Sequence, residues 1–191
     1  MSNRSIHTLL KNWDEECPLT REEAVEVLNL PEQEMDSLME CAYALRTKYK
    51  GKKVSVQLLT NVRSGNCTQN CAYCAQSKDS QAEIEKYKRV SDEKLYGDND
   101  LVDEKHLARH CIGLSGIGFS DEEIEDLADR IREMKKKDTQ ICCSIGFLTE
   151  KQARILKDAG LDRINHNLNS SRSFYPEICT THTYDQRVNN I

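Results

Sequence analysis

"HCIGLSGIGFSDEEIEDLADRIREMKKKDTQICCSIG", residues 110–146, decides the fold class. Its two ends are short β-rich runs. Its middle opens on the capping pair Ser120 and Glu123 and carries Ile124, Leu127, Ala128, Ile131 and Met134 at three and four spacing. Strand, helix, strand over this distance predicts a parallel β/α unit, because parallel neighbours need a crossover helix between them. Lys135, Lys136 and Lys137 fall at the end of that helix, where attraction to the negative end of its dipole accounts for the charge run.

The same alternation extends both ways. Downstream, Thr149 with Gln152 opens a helix that runs to Gly160, "LDRINHNL" (161–168) reads as another strand, and Thr183 with Gln186 opens a last helix. Upstream, "VSVQLLTNV" (54–62) is a strand. Between them lies the irregular "LYGDNDLVDEKHLARH" (95–110), in which Gly97-Asp98-Asn99-Asp100 signals a turn inside the first crossover. Further upstream, Thr20 with Glu23 starts a short helix that stops at Pro31. A second helix bears Met35, Leu38, Met39, Ala42, Leu45 and Tyr49 and ends at Gly51. The expected organisation is an N-terminal helical extension over 1–50 and an α/β core over 51–191, a partial TIM-type (β/α) barrel of about four β/α units. A closed eight-stranded barrel takes about 250 residues, so 191 residues read as a truncated barrel with one edge unpaired.

Charged residues make up 31% of the chain and apolar ones 38%, with a net charge of −5. That balance is ordinary for a globular protein and argues against a nucleic-acid partner, which calls for concentrated basic surface. No run approaches the roughly 18 apolar residues of a membrane span, and "MSNRSIHTLL" lacks the apolar stretch of a signal peptide. Nine cysteines, an odd number, without such a signal point to the reducing cytoplasm, where thiols serve metals or catalysis.

Alternation along each strand separates two faces. One face of the strand at 110–116 holds Cys111, Gly113 and Ser115, and the other Ile112 and Leu114. The next strand divides into Cys142, Ser144 and Gly146 against Cys143, Ile145 and Phe147, and the fourth into Asn165, Asn167 and Asn169 against Ile164, His166 and Leu168. Each strand thus has an apolar face for helices and a small or polar face for the interior. An interior row of three amides needs partners, either a polar ligand or a hydrogen-bond network. Cys111 and Cys142 face inward from neighbouring strands, as plain buried thiols or as metal ligands; Cys143, facing outward, reads as packing. Cys17 and Cys41 belong to the N-terminal helices and read as inert.

The first strand runs into "SGNCTQNCAYCAQS" (64–77), with Cys67, Cys71 and Cys74 inside eight positions. Structural zinc takes four ligands, commonly from paired motifs, and no second pair is in reach; His106 and His110 lie beyond a long polar segment. Ferredoxin clusters also take four cysteines. Three thiolates instead suit a 4Fe–4S cluster whose fourth iron stays open, as the metal does in a catalytic site.

C-x3-C-x2-C with Tyr73 before the last cysteine resembles the signature of radical S-adenosylmethionine enzymes. The resemblance implies that S-adenosylmethionine completes the open iron and is split there to a 5′-deoxyadenosyl radical. Within that superfamily, "YCAQS", "NHNLNSS" and "FYPEICTTHTYDQRV" resemble blocks of the biotin synthase family, in its order. That resemblance implies sulfur insertion into dethiobiotin as the activity, with flavodoxin or ferredoxin as electron donor. It also implies that Cys111 and Cys142 ligate part of a 2Fe–2S cluster whose remaining ligands lie on strands outside this chain. By the same resemblance, Asn167 would contact substrate, Asn169 would sit near the cofactor ribose, and Arg187 would hold the cofactor's charged end. The family position of Asn169 is often acidic, and Cys179 matches no family ligand. A half-barrel would pair as a homodimer or with a complementing half. The alternatives are another radical enzyme of similar architecture, of ring-rearranging or hydrogenase-maturation type, and a non-catalytic fragment that holds zinc or a cluster.

Overall fold

The computed structural model describes residues 19–191; Cys17 and the N-terminal stretch inspected for a signal lie outside them. The chain divides into two compact units, Met1–Val54 and Ser55–Ile191. In the first, α1 (Arg21–Leu28) is followed by a 3-10 turn (Glu32–Glu34) that leads into α2 (Met35–Lys50). Thr20 and Glu23 make both capping-box bonds, at 3.2 and 2.9 Å. Gly51 ends α2 at φ +63°, a conformation that favours glycine.

In the second unit, β1 (Gln57–Arg63), α3 (Asp92–Glu104), β2 (Arg109–Leu114), α4 (Asp121–Met134), β3 (Ile141–Ser144), α5 (Glu150–Asp158) and β4 (Arg163–Asn165) alternate, followed by short α6 (Tyr175–Ile178) and α7 (Tyr184–Asn189). The four strands form one parallel sheet in the order β1-β2-β3-β4. The α/β reading therefore holds. Capping boxes open α4, α5 and α7 at the expected Ser120/Glu123, Thr149/Gln152 and Thr183/Gln186.

The core lies on the outer side of the sheet. Ile112, Cys143 and Ile145 pack with Leu95 of α3, with Leu156 of α5, and with the whole predicted stripe of α4, Ile124, Leu127, Ala128, Ile131 and Met134. Cys143 is fully buried there, as packing requires. Each such large apolar side chain contributes roughly 1.5–3 kcal/mol when removed from water. This outer layer fixes the height and tilt of the strand ends that carry the site.

Two expectations need correction, and a third gains detail. Gly97-Asp98-Asn99-Asp100 forms no turn: α3 runs through it from the Ser91 cap. Asp98 and Asn99 face inward, onto partners supplied by the sheet, by α4 and by Lys94 of the same helix, while Asp100 stays exposed. Asp98 accepts from Thr60 Oγ1 (2.6 Å) and from Lys94 Nζ (2.5 Å), and Asn99 donates to the Met134 carbonyl (3.2 Å). The lysine run does more than meet a dipole. Lys135 reaches the Thr139 carbonyl and Asp162, Lys136 pairs with Glu133, and Lys137 pairs with Asp100. Finally, the fourth strand is only Arg163–Asn165, shorter than its apolar–polar alternation suggested, because nothing among the described residues pairs with its far side.

The α3 layer can be tested at two positions. Gly97 is exposed inside a helix, and an added Cβ would meet nothing within 4 Å. Gly97→Ala is expected to stabilise the chain by about 0.5–1 kcal/mol in urea melts, whereas a glycine-requiring turn would make the same change destabilising. His110 is fully buried and touches Thr60 Oγ1 at 2.8 Å through Nε2. Burial lowers its pKa from 6.5 to about 4, against the opposing pull of Asp98 and with the help of Lys94. The unfolded chain then binds the proton that the native one resists. Stability from this group is full above the unfolded pKa and falls by up to about 3 kcal/mol as pH drops from roughly 6.5 to 4. Denaturant midpoints of His110→Gln should lose that part of the slope.

Candidate active site

The segment after β1 leaves the sheet and returns at Tyr87, where Ser64 and Tyr87 exchange two backbone bonds of 3.1 Å. Ser64 Oγ donates to the Glu85 carbonyl, Tyr87 OH to the Asn61 carbonyl, and Ser115 Oγ to the Gly65 carbonyl. These bonds close the base of a loop whose tip carries Cys67, Cys71 and Cys74. The tip is docked on residues 178–182. Asn70 Oδ1 accepts from the Thr180 and Thr181 amides (3.0 and 3.2 Å), Asn70 Nδ2 donates to Thr180 Oγ1 (2.7 Å), and the Ala72 amide donates to the Ile178 carbonyl (2.9 Å).

All three loop cysteines line one cavity of about 310 Å³ at the C-terminal ends of the strands, where ligands bind in barrels and open α/β sheets. Gly113, Ser115 and Gly116 line it from β2 and the turn beyond, Ser144 and Gly146 from the end of β3, and Asn165, Asn167 and Asn169 from β4 and beyond. Tyr73 and Arg187 complete the wall. The structure thus brings together Cys67, Cys71, Cys74, Tyr73, Asn167, Asn169 and Arg187.

The amide row differs from expectation. Only Asn165 is in a strand, Asn169 turns the backbone at φ +66°, and all three asparagines are exposed, so no cost of burying them arises. Asn169 Nδ2 donates to Tyr73 OH (2.6 Å), tying the cysteine loop to the segment after β4. Partial desolvation and the neighbouring Cys71 raise the Tyr73 phenol pKa, so it stays a neutral hydroxyl. Arg187 Nε donates to Tyr175 OH (2.8 Å) and His182 Nε2 (3.2 Å), and its guanidinium lies 5.8 Å from the Phe147 ring.

Cys111 and Cys142 are directly paired in register and meet on the inner face, Sγ to Sγ 3.1 Å, with Gln57 Oε1 at 3.1 Å and Asn165 Nδ2 at 3.0 Å. Burial and the neighbouring thiol push Cys111 up to about 11. Neither thiol lines the cavity of the loop cysteines.

Four partners are invisible to motif reading: Asn70, Tyr175, Cys179 and His182. Cys179 caps α6 and sits 3.8 Å from Cys71, and His182 lies against it. For Cys179 and His182 the only local signal is the polar run "CTTHT", too short to be read as an element.

The Radical SAM superfamily model matches residues 61–191, and the chain belongs to that superfamily. Biotin synthases of Geobacillus kaustophilus (strain HTA426) and Bacillus subtilis (strain 168) are each 40% identical to it over 174 residues, 91% of this chain and 52% of theirs. The chain therefore spans about half the length of the curated relatives it matches. Among solved structures, methylornithine synthase (PylB) superposes with TM-score 0.79 at 16% identity, over 95% of this chain and 52% of its own. HydG, a maturase of the [FeFe]-hydrogenase, gives 0.70 at 18%, over 90% and 39%. These likenesses are of fold.

Superfamily membership implies a 4Fe–4S cluster and S-adenosylmethionine. Three thiols opening on one cavity, whose other walls are glycine backbone, amides and a guanidinium, suit both groups. A 2Fe–2S cluster takes four protein ligands, and the inner-face pair supplies two thiols, so the described residues do not by themselves fit it.

Gly146 is where the strand ends lock together. The Phe147 amide donates to the Ile117 carbonyl (2.6 Å), and a Cβ on Gly146 would overlap that same oxygen. Gly146→Ala must separate two cavity walls; a loss of about 1–3 kcal/mol in thermal or urea unfolding is expected.

Proposed function

We propose that this chain carries the radical-generating half of a biotin synthase-like enzyme, which abstracts hydrogen from unactivated carbon of dethiobiotin as the prelude to sulfur insertion. The observation that carries the reading is the convergence of Cys67, Cys71 and Cys74 on the cavity that Arg187, Asn167 and Asn169 also line. The identity to biotin synthases supports the substrate. The proposed domains are a helical extension over 1–50 and the barrel core over 51–191.

A 4Fe–4S cluster and S-adenosylmethionine held in this cavity would supply one-electron reductive cleavage of the sulfonium, the source of the hydrogen-abstracting radical. This chain's own residues would do the positioning. Cys67, Cys71 and Cys74 would hold the cluster. Arg187, with Nε tethered to Tyr175 and His182, presents its terminal nitrogens to a carboxylate, the pairing for which a guanidinium is built. Asn169 and Tyr73 hold the ribose side of the cavity and Asn167 the substrate side. Gly113 and Gly116 leave its floor low enough for a flat base. The electron would come from a flavodoxin- or ferredoxin-like donor in the cytoplasm, and a second copy or a complementing half would cover the open sheet. Cys111 and Cys142 are proposed as two of the four 2Fe–2S ligands, and no step is assigned to them.

Anaerobic reconstitution of the chelator-stripped chain with ferrous iron and sulfide should give a brown protein. Its reduced paramagnetic signal should change on adding S-adenosylmethionine. Serine at any of Cys67, Cys71 or Cys74 should abolish that change, while Cys111→Ser and Cys142→Ser keep it. Cofactor cleavage without biotin is the expected product pattern, since half the second donor set is present. A stripped chain that builds no cubane, or one indifferent to the nucleoside, sinks the reading.

A further inference from the structure

Cys179 and His182 serve neither the three-cysteine motif nor the inner-face thiol pair, yet both are buried beside Cys71. The Cys71 and Cys179 sulfurs are 3.8 Å apart, Cys179 Sγ is 3.3 Å from His182 Nδ1, and the three ligand atoms lie within 4.8 Å of one another. Zinc bonds of about 2.3 Å to sulfur and 2.0–2.1 Å to nitrogen, set at tetrahedral angles, give edges of about 3.8 Å for sulfur–sulfur and about 3.6 Å for sulfur–nitrogen. The sulfur–sulfur edge already equals that length, and the edge from Cys179 to His182 lies just below the sulfur–nitrogen one. The three ligands are furthermore held by a surrounding shell. The His182 ring is edge-on to Phe147 and Tyr175, its Nε2 lies 2.9 Å from Tyr175 OH, and Tyr175 OH is itself held by Arg187 Nε at 2.8 Å.

We infer that Cys71, Cys179 and His182 form a binding site for a single thiophilic divalent ion of the zinc type, filled in the cluster-free chain and exclusive with cluster loading. The exclusivity rests on the proposed role of Cys71 as a cluster ligand; the ion site itself does not. Binding is a displacement without redox change: two thiols lose their protons to solvent and form two metal–sulfur bonds. His182 ligates through Nδ1, which places its single imidazole proton on Nε2 facing Tyr175 OH at 2.9 Å; the Arg187 Nε bond to that nitrogen is then given up and Arg187 keeps Tyr175 OH alone. Gln69 Oε1, 2.8 Å from Nδ1, borders the fourth position, which faces the cavity that Gln69 also lines. An ion here would fasten the cysteine loop to the segment after β4 before any iron arrives.

Cobalt(II), titrated anaerobically into the stripped 191-residue chain, is the probe. One equivalent should produce thiolate charge-transfer bands and the intense visible absorption of tetrahedral coordination. Cys179→Ser, nearly isosteric, and His182→Gln should each weaken binding by more than the roughly 10–100-fold that outer partners such as Tyr175 command, and Tyr175→Phe by about that factor. Cys67→Ser and Cys74→Ser should titrate as the parent does. Unchanged binding in Cys179→Ser, or loss in Cys67→Ser and Cys74→Ser, overturns the site. Zinc loaded beforehand should slow cubane assembly in the parent and not in Cys179→Ser. Assembly at full rate with zinc retained overturns the exclusivity and removes Cys71 from the cluster ligands, while the cobalt result stands.

Discussion

The side chain of Asn70 holds the site together. The excursion from Ser64 to Tyr87 is closed at its base by a backbone bridge and the side-chain bonds around it, and ordering its far end carries an entropic cost that grows with the residues ordered. Asn70 removes that freedom by meeting two successive backbone amides and a threonine hydroxyl of 180–181. With the Ala72–Ile178 backbone bond beside it, this contact sets where three thiols can point. It also explains the placement of Tyr175, Cys179 and His182, which form the surface the loop rests on.

Much of the fold and site is legible in the sequence because it depends on local chemistry. Capping boxes are decided within four residues, and all four that the sequence shows are formed. The stripe of α4 and the two faces of β2 and β3 follow from periodicity alone, which is enough to put Cys111 and Cys142 on one face of neighbouring strands. The failures share a cause. Gly97-Asp98-Asn99-Asp100 has turn composition, yet Thr60 and Met134 supply partners from elsewhere in the chain, and tertiary context overrides propensity. The amide row has the alternation of a strand, but an edge strand paired on one side ends sooner. Cys179 gives no signal of its role because its neighbour lies 108 residues away, a contact no local pattern encodes.

The two faces of the sheet divide the labour. The outer face is close-packed with Ile112, Cys143, Ile145 and the α4 stripe, and it supplies the apolar burial that holds the unit folded. The inner face is open: Leu59 is 67% exposed there, in register with Cys111, and the asparagines at the end of β4 stand in solvent. Both edge strands, β1 and β4, offer unpaired backbone groups, which folded proteins ordinarily cover.

Open and packed faces also differ in how they tolerate change. Residues on the open face, such as Asn167 and Asn169, make few contacts whose loss would be felt by the core. Asn169 contributes instead at the loop, since its side chain holds Tyr73 OH. The thiol loop behaves otherwise, because Cys71 is buried against Tyr175 and Cys179 in a small cluster of its own. Burial, with Cys179 beside it, pushes the Cys71 thiol up to about 11, so in the metal-free chain this sulfur holds its proton at neutral pH. A metal that takes Cys71 must displace that proton, and the strength of the metal–thiolate bond is what offsets the displacement.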